Sequence, residues 1–210
     1  MDAKICAEVI AQRRMVTPGA MSDRPVPRDV LEQLLEAANW APSHRRTEPW
    51  RFVVVQGAAL EHLSQVYTEA LEADRPDADE RTRLKVANKP LRSPVVIGVV
   101  CQPSDLAKVV EHEEEWAVAC AIQNMGVLAR ALGVSVFWST GFPSAHPHVA
   151  QAFGCSGRAR MMGVLHVGYP DDNGWPTGRR GAWQDKVHWC ETDEIDVPTW
   201  RPNPDRRSTS

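Results

Sequence analysis

The sequence predicts a single domain in which α-helices alternate with the strands of one sheet, and three observations support this fold class. The chain has 210 residues, of which 43% are hydrophobic, and this is enough for one sizeable core but hardly for two. Several segments repeat apolar residues at spacings of three and four, as amphipathic helices do. Short β-branched runs of strand length, such as residues 52–55 and 95–100, lie between them. We therefore expect one domain over residues 1–210.

The first two helices are indicated by apolar spacing and by residues suited to helix ends. A first short helix, ending near residue 14, has apolar residues at helical spacing: Ala3, Cys6, Val9 and Ile10. The signal for the second helix is stronger, because Pro27 suits a first turn and Asp29 suits the positive end of the dipole. Its apolar face consists of Val30, Leu31, Leu34, Leu35 and Ala38. Pro42 should end it.

Two further helical segments surround a charged stretch. Residues 58–71 are compatible with a helix, and residues 109–132 carry the longest helical pattern, which Gly133 should end. This long helix is apolar around much of its circumference, so we expect it to be buried against the sheet or a second subunit. Residues 73–92 are highly charged and contain two prolines. We expect them to form a lid or a mobile excursion.

Four segments have the composition of strands. The runs at residues 52–55 and 95–100 are continuously apolar, which predicts that both lie inside the sheet rather than at its edge. Residues 134–138 and 161–167 supply two more strands. A helix is expected after Pro143.

The last forty residues have a different composition. Residues 171–210 are rich in proline and contain four tryptophans: Trp175, Trp183, Trp189 and Trp200. Large rings in an irregular segment favour an extended tail that wraps an apolar surface, and a partner subunit is one such surface.

The charge and the cysteine content limit which binding partners and which cellular compartment are expected. A formal net charge of −3 argues against a nucleic-acid platform or an acidic membrane surface as partner. No apolar run approaches the ~20 residues of a membrane span. The cysteines are odd in number and contain no CxxC pair: Cys6, Cys101, Cys120, Cys155 and Cys190. We therefore expect reduced thiols and a cytoplasmic location.

Several common catalytic motifs are absent from the sequence. It contains no GxGxxG, GxxxxGK[ST], GxSxG or HExxH pattern, which removes the support for Rossmann, P-loop, serine hydrolase and zincin functions. His146 and His148, and the acidic run 111–115, imitate metal ligands, but neither has a third ligand at a fixed spacing. We expect no metal, and a solvated loop and helix face explain both patterns.

Basic and polar residues gather where predicted elements meet. These residues are Arg13, Arg14, Ser43, His44, Arg45, Arg46, Trp138, Ser139, Thr140, Gly141, Gly178, Arg179 and Arg180. The guanidinium group of arginine can donate two parallel hydrogen bonds to phosphate oxygens. Hydroxyl groups, backbone amides and a flat indole suit a planar ring with a polar edge. Together they predict a phosphorylated aromatic cofactor.

Four segments in order give the sequence a family resemblance: QRRMV at residues 12–16, the segment from RPVPRDV to WRFVVV at 24–55, AIQNMGVLARALGVSVFWSTG at 121–141, and VLHVGYP at 164–170. With this spacing the chain resembles the FMN-dependent nitroreductase family, in its compact, single-domain branch. The resemblance implies an α+β fold with a central, mainly antiparallel sheet flanked by helices. It also implies an intertwined homodimer whose two active sites are built by both chains.

The resemblance also implies an activity. Members of the family bind FMN without a covalent link and pass hydride from NADH or NADPH through it, in two steps, to nitroaromatic or quinone-like acceptors. No side chain need be catalytic, because the cofactor performs the chemistry. Two alternatives stay open: another reaction on the same fold, such as reductive dehalogenation, flavin degradation or azoline oxidation, and a flavin-binding or flavin-delivering protein with little turnover.

Two groups of arginines correspond to the family's phosphate contacts. Arg13 and Arg14 match the family's Arg-Arg-Ser position, and Arg14 is the first candidate to polarise the flavin edge. Met15 replaces the serine, which removes a hydroxyl contact and slightly favours the flavin-delivery alternative. Arg180, with Arg179 as its neighbour, matches a late basic residue at the phosphate. The alternative for Arg13 and Arg14 is that they cap the carbonyl end of the first helix. The alternative for Arg179 and Arg180 is a surface charge pair.

The segment APSHRRTEPW at residues 41–50 matches a loop that approaches the flavin. The resemblance places Trp40, Pro42, Ser43 and His44 near the cofactor, some of them reaching it from the second subunit. His44 would donate to the ribityl or phosphate group, and the alternative is a surface histidine. Three charged neighbours match the pocket rim: Arg45, Arg46 and Glu48.

The segment that follows the third strand corresponds to the lining of the isoalloxazine ring. Trp138, Ser139, Thr140 and Gly141 match it, with backbone groups and hydroxyls toward the ring edge. The alternative for Trp138 is a plain core position.

Overall fold

A computed structural model describes residues 2–191, 193, 195 and 197–200. The chain divides into two compact units, Met1–Pro176 and Thr177–Ser210. The first unit contains all the helices and strands named below, whereas the described part of the second contains one 3₁₀ turn, Gln184–Lys186. The sequence predicted one domain with a tail from residue 171, and the separation into units falls a few residues later.

The elements of the first unit follow the predicted order. The helices are α1 (Ala3–Gln12), α2 (Arg28–Asn39), α3 (Ala59–Asp74), α4 (Glu80–Ala87), α5 (Glu111–Ala131) and α6 (Pro147–Ala152). The strands are β1 (Trp50–Gln56), β2 (Val95–Cys101), β3 (Ser135–Ser139) and β4 (Arg160–Gly168). Short 3₁₀ turns occupy Pro18–Ala20, His44–Arg46 and Pro90–Arg92.

The four strands form one antiparallel sheet in the order β1-β2-β4-β3, covered by helices on both faces. Alternate residues of a strand face opposite sides, and β2 accordingly contributes to two cores. Leu34 of α2 and Met125 of α5 belong to one core, while Tyr67 of α3 and Val149 of α6 belong to the other. The α+β class with a mainly antiparallel central sheet is confirmed.

One position of β2 requires glycine. A Cβ atom at Gly98 would lie 2.2 Å from a ring carbon of Phe153. The absence of a side chain at this position therefore lets the residue after α6 pack directly against the sheet.

The prediction that both apolar strands lie inside the sheet is right for β2 and wrong for β1. All seven residues of β2 are buried, but in the part of the chain that the structure describes, β1 is an edge strand that pairs only with β2. Val53 and Val54 are 39% and 38% exposed, on opposite faces of the strand. The apolar residues of β1 indicate that this strand favours burial. They do not indicate how many strands lie beside it, because that number depends on the strand order of the whole sheet.

The charged segment 73–92 is folded in large part, and its role as a lid or a mobile excursion stays a prediction. It contains α4, whose first turn is capped by Asp79, which accepts a hydrogen bond from the amide of Thr82 at 2.6 Å. Val86 and Pro90 are buried, and α4 packs on α3. The apolar contacts are too few to give a strong periodicity, so the sequence pattern did not show the helix.

The long helix α5 occurs where it was predicted, but only one face is buried. Ala121 and Met125 are fully buried against the sheet. Trp116 is 62% exposed and Cys120 is also exposed, so burial around most of the circumference is not seen within one chain. Burial of the outer face by a second subunit stays a prediction.

Within the second unit, Trp183 and Trp189 are exposed, and their packing against a partner stays a prediction. Among the described residues, no helix is long and apolar enough to cross a membrane.

Candidate active site

Arg13 and Arg14 lie where α1 ends. The side chain of Arg13 passes over α5, because a Cβ atom at Gly126 would lie 3.4 Å from Arg13 Cδ. Arg14 Nη1 donates hydrogen bonds to the carbonyl groups of Ala11 at 2.7 Å and of Arg13 at 2.8 Å. The helix-capping alternative therefore describes part of what Arg14 does.

The remainder of the Arg14 guanidinium is suited to an anion. Its Nε is buried and has no hydrogen-bond partner among the described residues. A buried donor without a partner costs about 1–3 kcal/mol, and an oxyanion would remove that cost through a charge-assisted hydrogen bond. The residues present around Arg14 therefore fit a phosphate or another anionic group.

Met15 follows these arginines and is 45% exposed. The next residue anchors the segment to the sheet, because the amide of Val16 donates to Ser135 Oγ at 2.8 Å. A cavity of about 260 Å³ adjoins the segment and is lined by Met15, Val16, Thr17, Ala20, Asn173, Gly174 and Pro176. Met15 thus offers a backbone and an apolar side chain, but no hydroxyl, at this position.

The loop between α2 and β1 has an unusual backbone. Arg45, Arg46 and Glu48 have φ angles of 55°, 56° and 46°, in the left-handed region that side chains other than glycine seldom adopt. The amide of Glu48 donates to Ser43 Oγ at 3.3 Å, which holds the turn. Thr47 Oγ1 is buried without a hydrogen-bond partner among the described residues. Such strain is typical of functional sites and persists where the surroundings enforce it.

His44 is fixed by a contact with α5. His44 Nδ1 lies 2.6 Å from Glu113 Oε2, and this hydrogen bond is the main reason that the pKa of Glu113 is lowered. A cavity of about 410 Å³ beside them is lined by Pro42, Ser43, His44, Glu113, Trp116, Ala117 and Cys120. Three of the predicted residues are therefore brought together with residues of α5.

Trp40 lies on the outside of the same loop. It is 79% exposed, and its Nε1 donates to Glu36 Oε1 at 2.8 Å. Trp40 borders an apolar groove of about 610 Å³ that lies between α1, α2 and α5 and includes Ile5 and Ile10. It also borders a cavity of about 430 Å³ next to Ser43.

The segment after β3 separates into a core residue and an exposed turn. Trp138 is half-buried against the first core, and its Nε1 donates to the carbonyl of Met162 at 2.8 Å, as its core alternative predicted. Ser139 ends β3, and Thr140 and Gly141 follow it on the surface. The indole nitrogen is thus engaged by β4, and contact of the isoalloxazine ring with Trp138 and the three residues after it stays a prediction.

Arg179 and Arg180 belong to the second unit. Both are exposed, and Arg180 Nη1 donates to the carbonyl of Arg179 at 3.0 Å. Their contact with a phosphate stays a prediction.

The two predicted cofactor contacts lie near opposite ends of α5 within one chain. Arg13 contacts this helix at Gly126, and His44 contacts it at Glu113. Thirteen residues of helix separate those points, which corresponds to about 20 Å at 1.5 Å per residue. A single chain therefore does not bring the arginines and the histidine loop together.

The sequence did not single out two residues of the site. Glu113 belonged to an acidic run interpreted as a solvated helix face, and Trp116 was assigned only to the apolar pattern of α5. The helical spacing of Glu113 and Trp116 could be predicted from the sequence, but the contact of His44 with this part of α5 could not.

Among the described residues, no group of three His, Cys, Asp or Glu side chains could hold a metal ion. His146 and His148 contact Asp74 and Glu69 instead.

Comparison with known proteins decides the family. The model of the Nitroreductase family matches residues 10–169, which is most of the chain. The chain belongs to the nitroreductase family. Membership makes it an enzyme of the nitroreductase type. It is 32% identical over 171 residues to the Escherichia coli protein named "Putative NAD(P)H nitroreductase YdjA", covering 81% of this chain and 89% of that protein.

Solved structures share the nitroreductase fold. A nitroreductase-like protein from Bacillus cereus is 28% identical, with a TM-score of 0.77 over 89% of this chain and 96% of that one. A nitroreductase with bound FMN from Bacteroides fragilis is 23% identical, with a TM-score of 0.66 over 91% of this chain and all of that one. The second comparison supports the fold alone.

Proposed function

We propose that this chain is an FMN-dependent oxidoreductase that transfers hydride from NADH or NADPH to nitroaromatic or quinone-like acceptors. Family membership supports the reaction class. The observation that supports the cofactor is that the buried Nε of Arg14 has no hydrogen-bond partner among the described residues. Arg14 lies in the segment expected to meet the flavin phosphate or ribityl chain. When bound, FMN supplies the two-electron redox chemistry.

In this proposal the arginines bind the cofactor and polarise its ring. The guanidinium of Arg14 is half-buried, and two of its donor contacts are fixed by the end of α1, so its remaining donors are oriented before a ligand arrives. Such preorganised positive charge stabilises an anionic form of a bound ring more than its neutral form. Arg13 adds a phosphate contact, and Met15 contributes its backbone. A phosphate contact of Arg179 and Arg180 rests on the family resemblance alone.

The polar residues at the ends of α2 and β3 position the ring. Ser43 Oγ accepts a hydrogen bond from the amide of Glu48 within the strained loop, and Ser139, Thr140 and Gly141 offer backbone groups and hydroxyls. Trp138 supports them from the core. Pro42 and Trp40 complete the wall of this region.

A second copy of the chain completes each site. The apolar groove bordered by α1, α2 and α5 exposes Ile5, Ile10 and Trp40 at 58%, 58% and 79%, and exposed apolar area of this extent favours a protein interface. The distance of about 20 Å along α5 between the two predicted contact regions is bridged if each cofactor lies between two chains. The homodimer therefore has two shared active sites.

The location proposed is the cytoplasm, which is consistent with the state of the cysteines. Cys6, Cys101, Cys120 and Cys155 are free thiols, as expected in a reducing compartment. The partners are the second subunit and small molecules, with no nucleic acid or membrane among them.

An absorbance spectrum of the purified protein, followed by anaerobic titration with NADH and with NADPH, tests this function. We expect a yellow protein whose flavin bands bleach with at least one nicotinamide and recover when a quinone is added. A colourless protein that does not bind added FMN would show that the cofactor is wrong. Bound FMN that stays oxidised with both nicotinamides would favour the flavin-delivery alternative.

A further inference from the structure

The loop between β3 and α6 covers residues 140–146 and is anchored to the core at its far side. Its first two residues, Thr140 and Gly141, form the ring-lining segment of the proposed flavin site. The carbonyl of Gly141 accepts a hydrogen bond from the amide of Ser144 at 2.9 Å. Ser144 is buried, and its Oγ lies 3.4 Å from the hydroxyl of Tyr67 in α3. The loop is therefore tied to α3 three residues beyond the ring-lining segment.

Lys89 contacts this loop at the residue that follows Gly141. Its Nζ donates a hydrogen bond to the carbonyl of Phe142 at 2.5 Å, across 53 positions of sequence. Lys89 is half-buried and lies between α4 and the 3₁₀ turn Pro90–Arg92. The backbone of the loop is thus held, directly after the ring-lining segment, by a charged side chain from segment 73–92.

The ammonium group of Lys89 lies among other positive charges. Its pKa is lowered, chiefly by burial and then by the charges of Lys85, Arg92 and Arg75. Burial and like charges both make this a costly place for an ammonium group. A hydrogen bond from a charged donor is stronger than one between neutral groups. The bond to the Phe142 carbonyl therefore offsets part of the cost of placing Lys89 here.

The aromatic ring of Phe142 is held by contacts that do not involve Lys89. The guanidinium group of Arg75 lies 5.0 Å from the ring centroid, and the ring of His146 meets it edge-on with 6.1 Å between centroids. His146 Nε2 is in turn 3.2 Å from Asp74 Oδ1. Loss of the Lys89 donor should therefore release the backbone at Phe142 and leave its side chain in place.

We propose that Lys89 is a positioning residue of the flavin site, because its hydrogen bond to Phe142 fixes the ring-lining segment. This inference rests on the proposed function, since it concerns how the same site holds its cofactor. Peptide groups that are fixed before a ligand binds stabilise charge on it without a cost of reorganisation. Reduced FMN in its anionic form carries more charge on the ring than oxidised FMN. The reduced cofactor should therefore depend more strongly on Lys89.

Four variants separate the hydrogen bond from the charge. Lys89→Met removes the ammonium group and keeps an unbranched side chain, and Lys89→Ala is a second removal variant. Lys89→Arg keeps a positive charge and a donor, so it should restore the wild-type behaviour. Lys85→Met is the matched control, because Lys85 is exposed, lies four positions before Lys89 and belongs to the same group of charges. It removes one charge and leaves the bond to Phe142 intact.

The first measurement is independent of turnover. Amide hydrogen exchange in the FMN-loaded proteins should be about 10-fold faster over residues 140–146 in Lys89→Met and Lys89→Ala than in the wild type, the effect of losing one hydrogen bond. Exchange over these residues should be unchanged in Lys85→Met and Lys89→Arg. Exchange in β2, which is buried, is the internal reference and should be the same in all five proteins.

The second measurement is the two-electron reduction potential of bound FMN, determined anaerobically against a reference dye. We expect Lys89→Met to weaken the binding of reduced FMN about 10-fold more than that of oxidised FMN. This difference corresponds to a potential lower by about 30 mV. A role of Lys89 in stability alone would lower the melting temperature and leave the potential of bound FMN unchanged.

Three results would overturn the proposal and leave the proposed function intact. The first is wild-type exchange over residues 140–146 in both removal variants. The second is an unchanged potential in Lys89→Met and Lys89→Ala. The third is an equal fall in potential in Lys85→Met, because the charge and not the hydrogen bond would then be responsible. A wild-type protein that binds no FMN would instead refute the proposed function itself.

Discussion

Acidification should weaken the fold through one buried histidine. His166 lies in β4 and is 4% exposed, and its Nδ1 is 2.8 Å from Ser93 Oγ. The Ser93 hydroxyl donates to the carbonyl of Val95 at 3.2 Å, so it accepts from Nδ1–H of a neutral imidazole. Burial, aided by the charge of Lys89, lowers the pKa of His166 from 6.5 to about 4.

The sign and size of the effect follow from that pKa. Because the folded pKa lies below the unfolded value, the unfolded chain binds the proton more tightly. Stability contributed by neutral His166 is fully present above pH 6.5 and decreases as the pH falls toward 4. At about 1.4 kcal/mol for each pH unit, the loss attributable to His166 is about 3 kcal/mol.

Urea unfolding between pH 4 and pH 8 measures this loss. His166→Asn keeps a donor toward Ser93 but does not titrate, so its free energy of unfolding should depend less on pH than that of the wild type, by about 3 kcal/mol across the range. His62→Asn, at an exposed position of α3, is the control and should follow the wild type. Protein concentration and cofactor content must be equal, because ligand and subunit binding also shift stability.

Parallel curves for the wild type and His166→Asn would refute the reasoning. They would show that His166 is charged in the folded protein, or that its proton affinity is the same in both states.

Three further predictions concern the cofactor, the core and the dimer. Arg14→Ala should weaken FMN binding about 10-fold to 100-fold, which is the effect of losing a charge-assisted hydrogen bond. The control Arg28→Ala removes an exposed ion pair and should leave FMN binding unchanged. Fluorescence titration measures the FMN affinity of both variants. Gly98→Ala places a Cβ 2.2 Å from Phe153 and should cost about 1–3 kcal/mol in urea unfolding, with recovery when Phe153→Leu is added. Ile10→Glu should give a monomer by light scattering, because it introduces charge into the apolar groove.

Each of these predictions has a contrary outcome. Equal FMN affinity in Arg14→Ala would remove the arginine from the cofactor site. A Gly98→Ala protein as stable as the wild type would show that the Phe153 ring moves without cost. A dimeric Ile10→Glu protein would place the subunit interface elsewhere.

The elements themselves were largely predictable, because their signals are local. Pro27, Asp29 and the apolar spacing that follows were sufficient for α2, and the residue bounds of α5 are close to those expected. The helix α4 was not predictable, because only Val86 among its residues is buried. A helix that rests on so few apolar contacts leaves little periodicity in the sequence.

The site was predictable in part. Arg14 was identified through its motif, but the burial of its Nε depends on how α1 ends. For Trp138 the sequence left ring lining and core open; the structure shows its Nε1 bonded to the carbonyl of Met162, and the ring-lining role stays a prediction. Glu113 could not be assigned a role, since its partner is 69 positions away.

The sequence by itself determined the family, the helical and strand segments and the residue types that suit a phosphorylated aromatic cofactor, because periodicity and motifs are properties of neighbouring residues. The tertiary structure decided which strands lie at the edges of the sheet, that the buried Nε of Arg14 has no hydrogen-bond partner among the described residues, and which carboxylate meets His44. Those results depend on contacts between residues far apart in the chain. Such contacts form only when the hydrophobic faces of α2, α5 and the sheet have packed together.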